Sequence, residues 1–280
     1  MMESMRRSAA CLVIALFLWP GLAVRAQSDL HAPFDKLLDL YVRDGFVYYQ
    51  ALQKDRASID RYVASLDIPR ARIDAWPVKD QEAFWVNAYN AFVLRTVIDA
   101  YPLRVQRSPD FPTKSIRQIP GAFEQLKHRV GGQAMTLDDI EKNVIAKFGD
   151  ARLLLALGRG AIGSGRLRSE AYQGSSLDQQ LALVVKECAT RVTCVKVDRD
   201  KNLLEVTPLV SWREEDFVQT FAAEGQKMWA NRSPIERAVA AMAYPHLFFT
   251  EKEYLAANTF QMKYGTFDWR LNDLTGGVPE

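Results

Sequence analysis

Apolar residues occupy nearly every side of the segment from Asp80 to Ala100, which predicts a helix buried all round. Asn87 and Asn90 lie inside it, three positions apart, so they project from one face. At roughly 100° per residue that face also carries Ala83, Ala91, Leu94 and Ile98. Buried amides need partners, so the pair either ties down backbone from another segment or faces a cleft.

On the N-terminal side, residues 27–33 are expected to fray. The spacing of Phe34, Leu37, Leu38 and Tyr41 predicts a first helix to about Val42. Asp44-Gly45 marks a turn before the β-prone Phe46–Tyr49, and a second helical region follows from Gln50 to Leu66. Four prolines make residues 101–122 a long loop, with a short ordered piece beginning at Ser115-Ile116. Phe123–Val130 and Gln133–Met135 form strands around a Gly131-Gly132 turn. Thr136 caps a helix from Leu137 to about Phe148, with Asp139 completing a capping box and Gly149 as the stop. The continuous apolar run Leu153–Leu157 suits a strand buried on both faces. Leu177–Ala189 is helical, capped by Ser175 or Ser176. Val192–Val197 and Leu203–Val206 make a hairpin. Glu214–Trp229 and Pro234–Met242 are further helices, and the aromatic tail 264–273 folds back onto the body. The expected class is α+β: a single helix-rich domain over residues 27–280 with a small mixed or antiparallel sheet.

The first 26 residues are read as a signal peptide, with Arg6 and Arg7 ahead of the apolar run Cys11–Trp19 and cleavage after Ala26. Export to the periplasm or outside the cell follows, with an uncleaved anchor as the alternative. The apolar run is short for a membrane span, so no stable span is expected after cleavage. Without Arg6, Arg7, Arg25 and Glu3 the 36 basic and 34 acidic residues balance. That balance gives no electrostatic case for nucleic acid. The remaining Cys188 and Cys194 leave a disulfide and two free thiols both open. No zinc spacing is present, and no metal or cofactor is implied.

Candidate chemistry is sparse. Residues 158–168 combine four glycines with Arg159, Arg166 and Arg168, a composition that suits an anion-binding loop and equally a plain surface loop. Ser164 is the hydroxyl best placed to act as a nucleophile, and His128 is its candidate base. Glu214-Glu215-Asp216 are better explained by the helix dipole.

The runs AFWVNAYNAFVLRTVIDAYP and GGQAMTLDDIEKNVI, the loop leading to LRSEAY, and the ending FDWRLND occur here in one order. Together they resemble the domain of unknown function 547 family across most of residues 36–273. The resemblance implies a fold more than a reaction, since the family has no established one, and bacterial members are often exported. Many relatives carry a histidine where this chain has Lys142, another at Leu154, and Cys-Pro at Ser164-Gly165. Asn87, Asn90, Glu141, Arg168, Glu170 and Tyr172 keep the family pattern. The balance leans away from an enzyme. The first expectation is a non-catalytic or degenerate domain that binds a ligand or envelope partner in a cleft between the asparagine helix and the 158–168 loop. Its binding residues would be Asn87, Asn90, Glu141, Arg159, Arg166 and Arg168. The alternatives are a weak hydrolase using Ser164 and a structural protein-interaction domain.

Overall fold

A computed structural model describes residues 20–274, with side chains from Leu30 onward. Most of the signal segment lies outside the described residues. Helix α1 (Pro20–Tyr41) leads into a short antiparallel pair, β1 (Val42–Arg43) and β2 (Phe46–Val47). Helices α2 (Tyr49–Lys54), α3 (Arg56–Ser65) and α4 (Arg70–Asp74) precede the long α5 (Val78–Ala100). A hairpin of β3 (His128–Val130) and β4 (Gln133–Met135) is followed by α6 (Leu137–Asn143), α7 (Ala151–Leu155) and α8 (Leu177–Thr190). Strands β5 (Val195–Asp198) and β6 (Leu203–Val206) come next, then α9 (Pro208–Trp212), α10 (Glu214–Phe221), α11 (Pro234–Ala243), α12 (Phe249–Ala256) and β7 (Gln261–Tyr264).

Helix α5 is the hub. Its residues are almost all buried from Ala83 to Ile98, and α1, α2, α3 and α6 pack around it. A second group of helices, α7, α8, α10 and α11, packs together beside it. The buried apolar residues of both groups belong to one core cluster. The largest sheet has three strands in the order β5-β6-β7, antiparallel then parallel. This is the helix-rich α+β class with a small mixed sheet that the pattern predicts. No helix of the described residues is long and apolar enough to cross a membrane.

Local rules explain most boundaries. The Thr136 hydroxyl accepts from the Asp139 N–H, and the Asp139 carboxylate accepts from the Thr136 N–H, closing the capping box. Gly149 takes φ 68°, which stops the chain after a 3₁₀ turn at Ile145–Phe148. Other expectations need correction. Leu153–Leu157 is not a strand: Ala151–Leu155 is helical, with the Asp150 side chain accepting from the Arg152 N–H. A five-residue apolar run carries no period, and leucine and alanine are strong helix formers, so the cap decides. The strand expected from Phe123 begins only at His128, because residues 121–126 turn around Gly121 at φ 64°. Helix α1 begins at Pro20, not near Phe34, and continues through Pro33. Helix α10 stops at Phe221, short of Trp229.

Candidate functional site

The two asparagines of α5 are spent on backbone. Asn87 Nδ2 donates to the Tyr172 carbonyl at 2.8 Å, and the Tyr172 N–H donates to Asn87 Oδ1 at 2.9 Å. Asn90 Nδ2 donates to the Ala156 carbonyl at 3.1 Å, and the Gly158 N–H donates to Asn90 Oδ1 at 2.8 Å. Each amide acts like a strand neighbour, supplying a donor and an acceptor to a segment with no ladder of its own. Together they hold both ends of the 156–172 segment against α5. The segment also presses on α7 so closely that a Cβ at Gly165 would lie 1.7 Å from the Leu155 carbonyl oxygen. A side chain there requires the backbone to move.

That clamp turns Arg159 inward. Its guanidinium is 2% exposed, and Nη2 lies 2.8 Å from Glu141 Oε1 on α6. Tyr89 of α5 donates its hydroxyl to Glu141 Oε2 at 3.2 Å. Burial opposes the charge on Arg159, but Glu141 and Tyr89 outweigh it and hold the group above its ordinary pKa. One turn of α5 therefore places Tyr89 on the ion pair and Asn90 on the loop that delivers its arginine.

The Arg159–Glu141 pair forms part of the wall of a cavity of about 250 Å³. Trp212, at the end of α9, lies with its ring centroid 5.5 Å from the Arg159 guanidinium. Trp269 from the C-terminal tail runs nearly parallel to Trp212, 20° between planes with centroids 6.3 Å apart, and Phe267 packs against both. On the same wall, the Arg117 guanidinium sits 4.4 Å from the Phe123 centroid and 4.5 Å from that of Trp269. Arg117 also pairs with Glu124, and Lys142 pairs with Asp138 at 2.6 Å. Burial would raise the Glu124 carboxyl, but the Arg117 bond and charge hold it below the ordinary range. No Ser, Thr, Cys or His lines this cavity.

The candidate residues read from the sequence thus divide among several places. Glu141 and Arg159 line the cavity, whereas Asn87 and Asn90 lie behind it in the core. Arg166 and Ser164 border a separate small pocket beside Glu187, Arg191 and the Cys188–Cys194 disulfide. Arg166 pairs with Asp44 at 2.8 Å; Arg168 pairs with Glu170 at 2.7 Å and Glu187 at 3.1 Å. The Ser164 hydroxyl donates to the Ala161 carbonyl. His128 stacks on Phe92 at 4.5 Å, with its Nε2 3.5 Å from the Thr96 hydroxyl. Burial, helped by the charge of Arg95, lowers the His128 pKa to about 4. The proposed nucleophile and base therefore bond to different groups. Among the described residues no group of three or more His, Cys, Asp or Glu is placed to hold a metal ion.

Residues 73–187 of this helix-rich α+β chain match the family model described as "Protein of unknown function, DUF547". The match supports the family resemblance of α5, the capping-box helix and the clamped loop. It takes in Asn87, Asn90, Glu141 and Arg159, and stops short of Trp212 and Trp269. No curated protein and no solved structure matches the chain. The tryptophans escape a reading of the sequence because residues 117, 123, 212 and 269 converge only in three dimensions. The available signal was the FDWRLND ending, whose Leu271 N–H bonds the Lys114 carbonyl and so returns the tail to the 101–122 loop.

Proposed function

We propose that this chain is an exported, non-catalytic binding domain. It holds a small ligand, or a group on an envelope partner, in the cavity between Trp212, Trp269 and the Glu141–Arg159 pair. One observation carries this reading: Trp212 remains 41% exposed beside an ion pair whose arginine is buried. A large exposed aromatic beside convergent polar groups is the usual character of a binding site.

Binding is favoured over catalysis by what the walls contain. Covalent catalysis needs an activated hydroxyl, thiol or amine with a base in reach, or a carboxylate free to attack. The cavity has no hydroxyl or thiol on its walls, its lysine is paired, and each of its three carboxylates is engaged by a cation. The hydrolase alternative centred on Ser164 is less favoured, since His128, its expected base, does not border that pocket and the hydroxyl is bonded to backbone. Export is supported by the Cys188–Cys194 disulfide, a bond that persists in oxidising compartments.

Native mass spectrometry of wild-type protein and Trp212→Ala purified from the native envelope fraction tests the reading. Wild type is expected to carry a discrete bound species that the equally folded variant loses. A wild-type spectrum of bare protein, or a bound species retained by the variant, would overturn it. A copurifying protein retained by the variant would favour the structural interaction domain.

A further inference from the structure

We propose that the cavity takes a neutral, polyhydroxylated ring, a pyranose-sized sugar unit, laid against Trp212 with its hydroxyls bridging the ion pairs of the wall. This rests on the cavity being the binding site, and it specifies the chemistry of the occupant.

The wall has charge without a field to match. Arg117 is answered by Glu124, Lys142 by Asp138 and Arg159 by Glu141 within the lining, and the fourth cation, Arg213, by Asp216 outside it at 2.9 Å. An anion entering must displace or face three carboxylates, and a cation must face four bases, each cation already paired. A neutral ligand meets neither barrier. What each pair does offer is a hydrogen-bond donor beside an acceptor. A hydroxyl group is both, so it can accept from the cation and donate to the carboxylate of one pair. Adjacent hydroxyls on a ring can repeat this at neighbouring pairs. Bonds to ionised partners are about twice as strong as neutral ones, which helps a small polar ligand compete with water.

The aromatic side supplies the rest. An indole face is electron-rich, and the C–H groups on one face of a sugar ring, polarised by the neighbouring oxygens, are its electrostatic complement. The volume of about 250 Å³ falls below the roughly 300–1,000 Å³ of sites that enclose drug-sized molecules. One ring fits, so the unit recognised is either a free monosaccharide or one residue of a longer glycan.

Intrinsic tryptophan fluorescence and calorimetry on the full exported chain read this out. The probes are glucose, N-acetylglucosamine, their neutral tetrasaccharides, and tetragalacturonate as the anionic counterpart. At least one neutral sugar is expected to bind, at least tenfold more tightly than tetragalacturonate, with little change between 0.05 and 0.5 M salt, roughly the range over which ionic contacts are screened away. Trp212→Ala should weaken it at least tenfold and Trp212→Phe less, both still unfolding in one cooperative transition well above the assay temperature. A tetramer that outbinds its monomer by more than statistics identifies a glycan; equal affinity identifies the free sugar, and either supports the proposal. Preference for tetragalacturonate with steep salt dependence overturns it in favour of an anion site. Failure of every sugar while the species copurifying with wild type still depends on Trp212 overturns the sugar class alone. Failure of both removes the binding reading as well.

Discussion

Asn87 and Asn90 are polar groups in the core, and Trp212 is an apolar group at the surface; both run against the usual partition. The difference lies in how each is resolved. The asparagines are closed internally, each by a donor and an acceptor on backbone of the same chain. Trp212 stacks on Phe267 and Trp269 and still leaves 41% of its surface open. A buried polar group with all its partners inside the fold belongs to the scaffold. An exposed aromatic held in place by the same scaffold has a surface left to use. The Glu141–Arg159 pair joins the regions, clamped from the asparagine side and lining the tryptophan side.

The largest effect is expected where the closed bonds are cut. Asn90→Leu removes both backbone bonds and leaves the Gly158 N–H and Ala156 carbonyl unpaired in the core, a loss of about 4 kcal/mol. Urea denaturation measures it, and a loss below about 1 kcal/mol would remove Asn90 from the scaffold. Glu141→Ala strands the buried Arg159 and should cost about 3 kcal/mol. Replacing both partners, Glu141→Leu with Arg159→Met, should recover part of that loss, because the apolar pair strands no charge while the Tyr89 hydroxyl still loses its acceptor. A double variant as unstable as the single one would show that shape, not charge, is what the site requires.

Acid should act on the scaffold. His31 is fully buried, hydrogen-bonded to the Tyr62 hydroxyl at 2.8 Å, and burial lowers its pKa to about 3. The unfolded chain binds a proton near pH 6.5 and the folded one does not, so between these values stability rises with pH. Its contribution is complete above the unfolded value and is lost as pH falls toward 3. Between pH 7 and 5 this group alone should cost about 2 kcal/mol. His31→Phe should flatten the slope; an unchanged slope would assign it to other groups. The smallest effect belongs to the open region: Trp212→Ala loses only the packing of its covered part on Phe267 and Trp269 and should cost about 1–2 kcal/mol, checked by the same urea titration. A loss comparable to that of Asn90→Leu would make Trp212 a core residue and erase the contrast.

The legible parts of the chain are those encoded locally. An all-round apolar helix with two amides, a Gly-Gly hairpin and a Thr-Asp capping box each announce themselves within a few residues. The 153–157 run misleads because five consecutive apolar residues have no period to read. The cavity was out of reach for a different reason. Arg117, Phe123, Trp212 and Trp269 come from four separate segments, and their meeting depends on tail and loop packing that no local pattern records. Of the cavity wall, Glu141 and Arg159 could be singled out from sequence, as a position of the family pattern and as an arginine in a glycine-rich loop.

The most direct measurement uses the indole N–H signals of the protein's own tryptophans in ¹⁵N-labelled material. Titration with the small-molecule fraction of the native envelope should shift the Trp212 and Trp269 signals together, while those of Trp85 and Trp229, at 0% and 2% exposure, stay fixed. Shifts at Trp85 or Trp229 with none at Trp212, or no shift at any indole, would contradict a binding site at the open tryptophans.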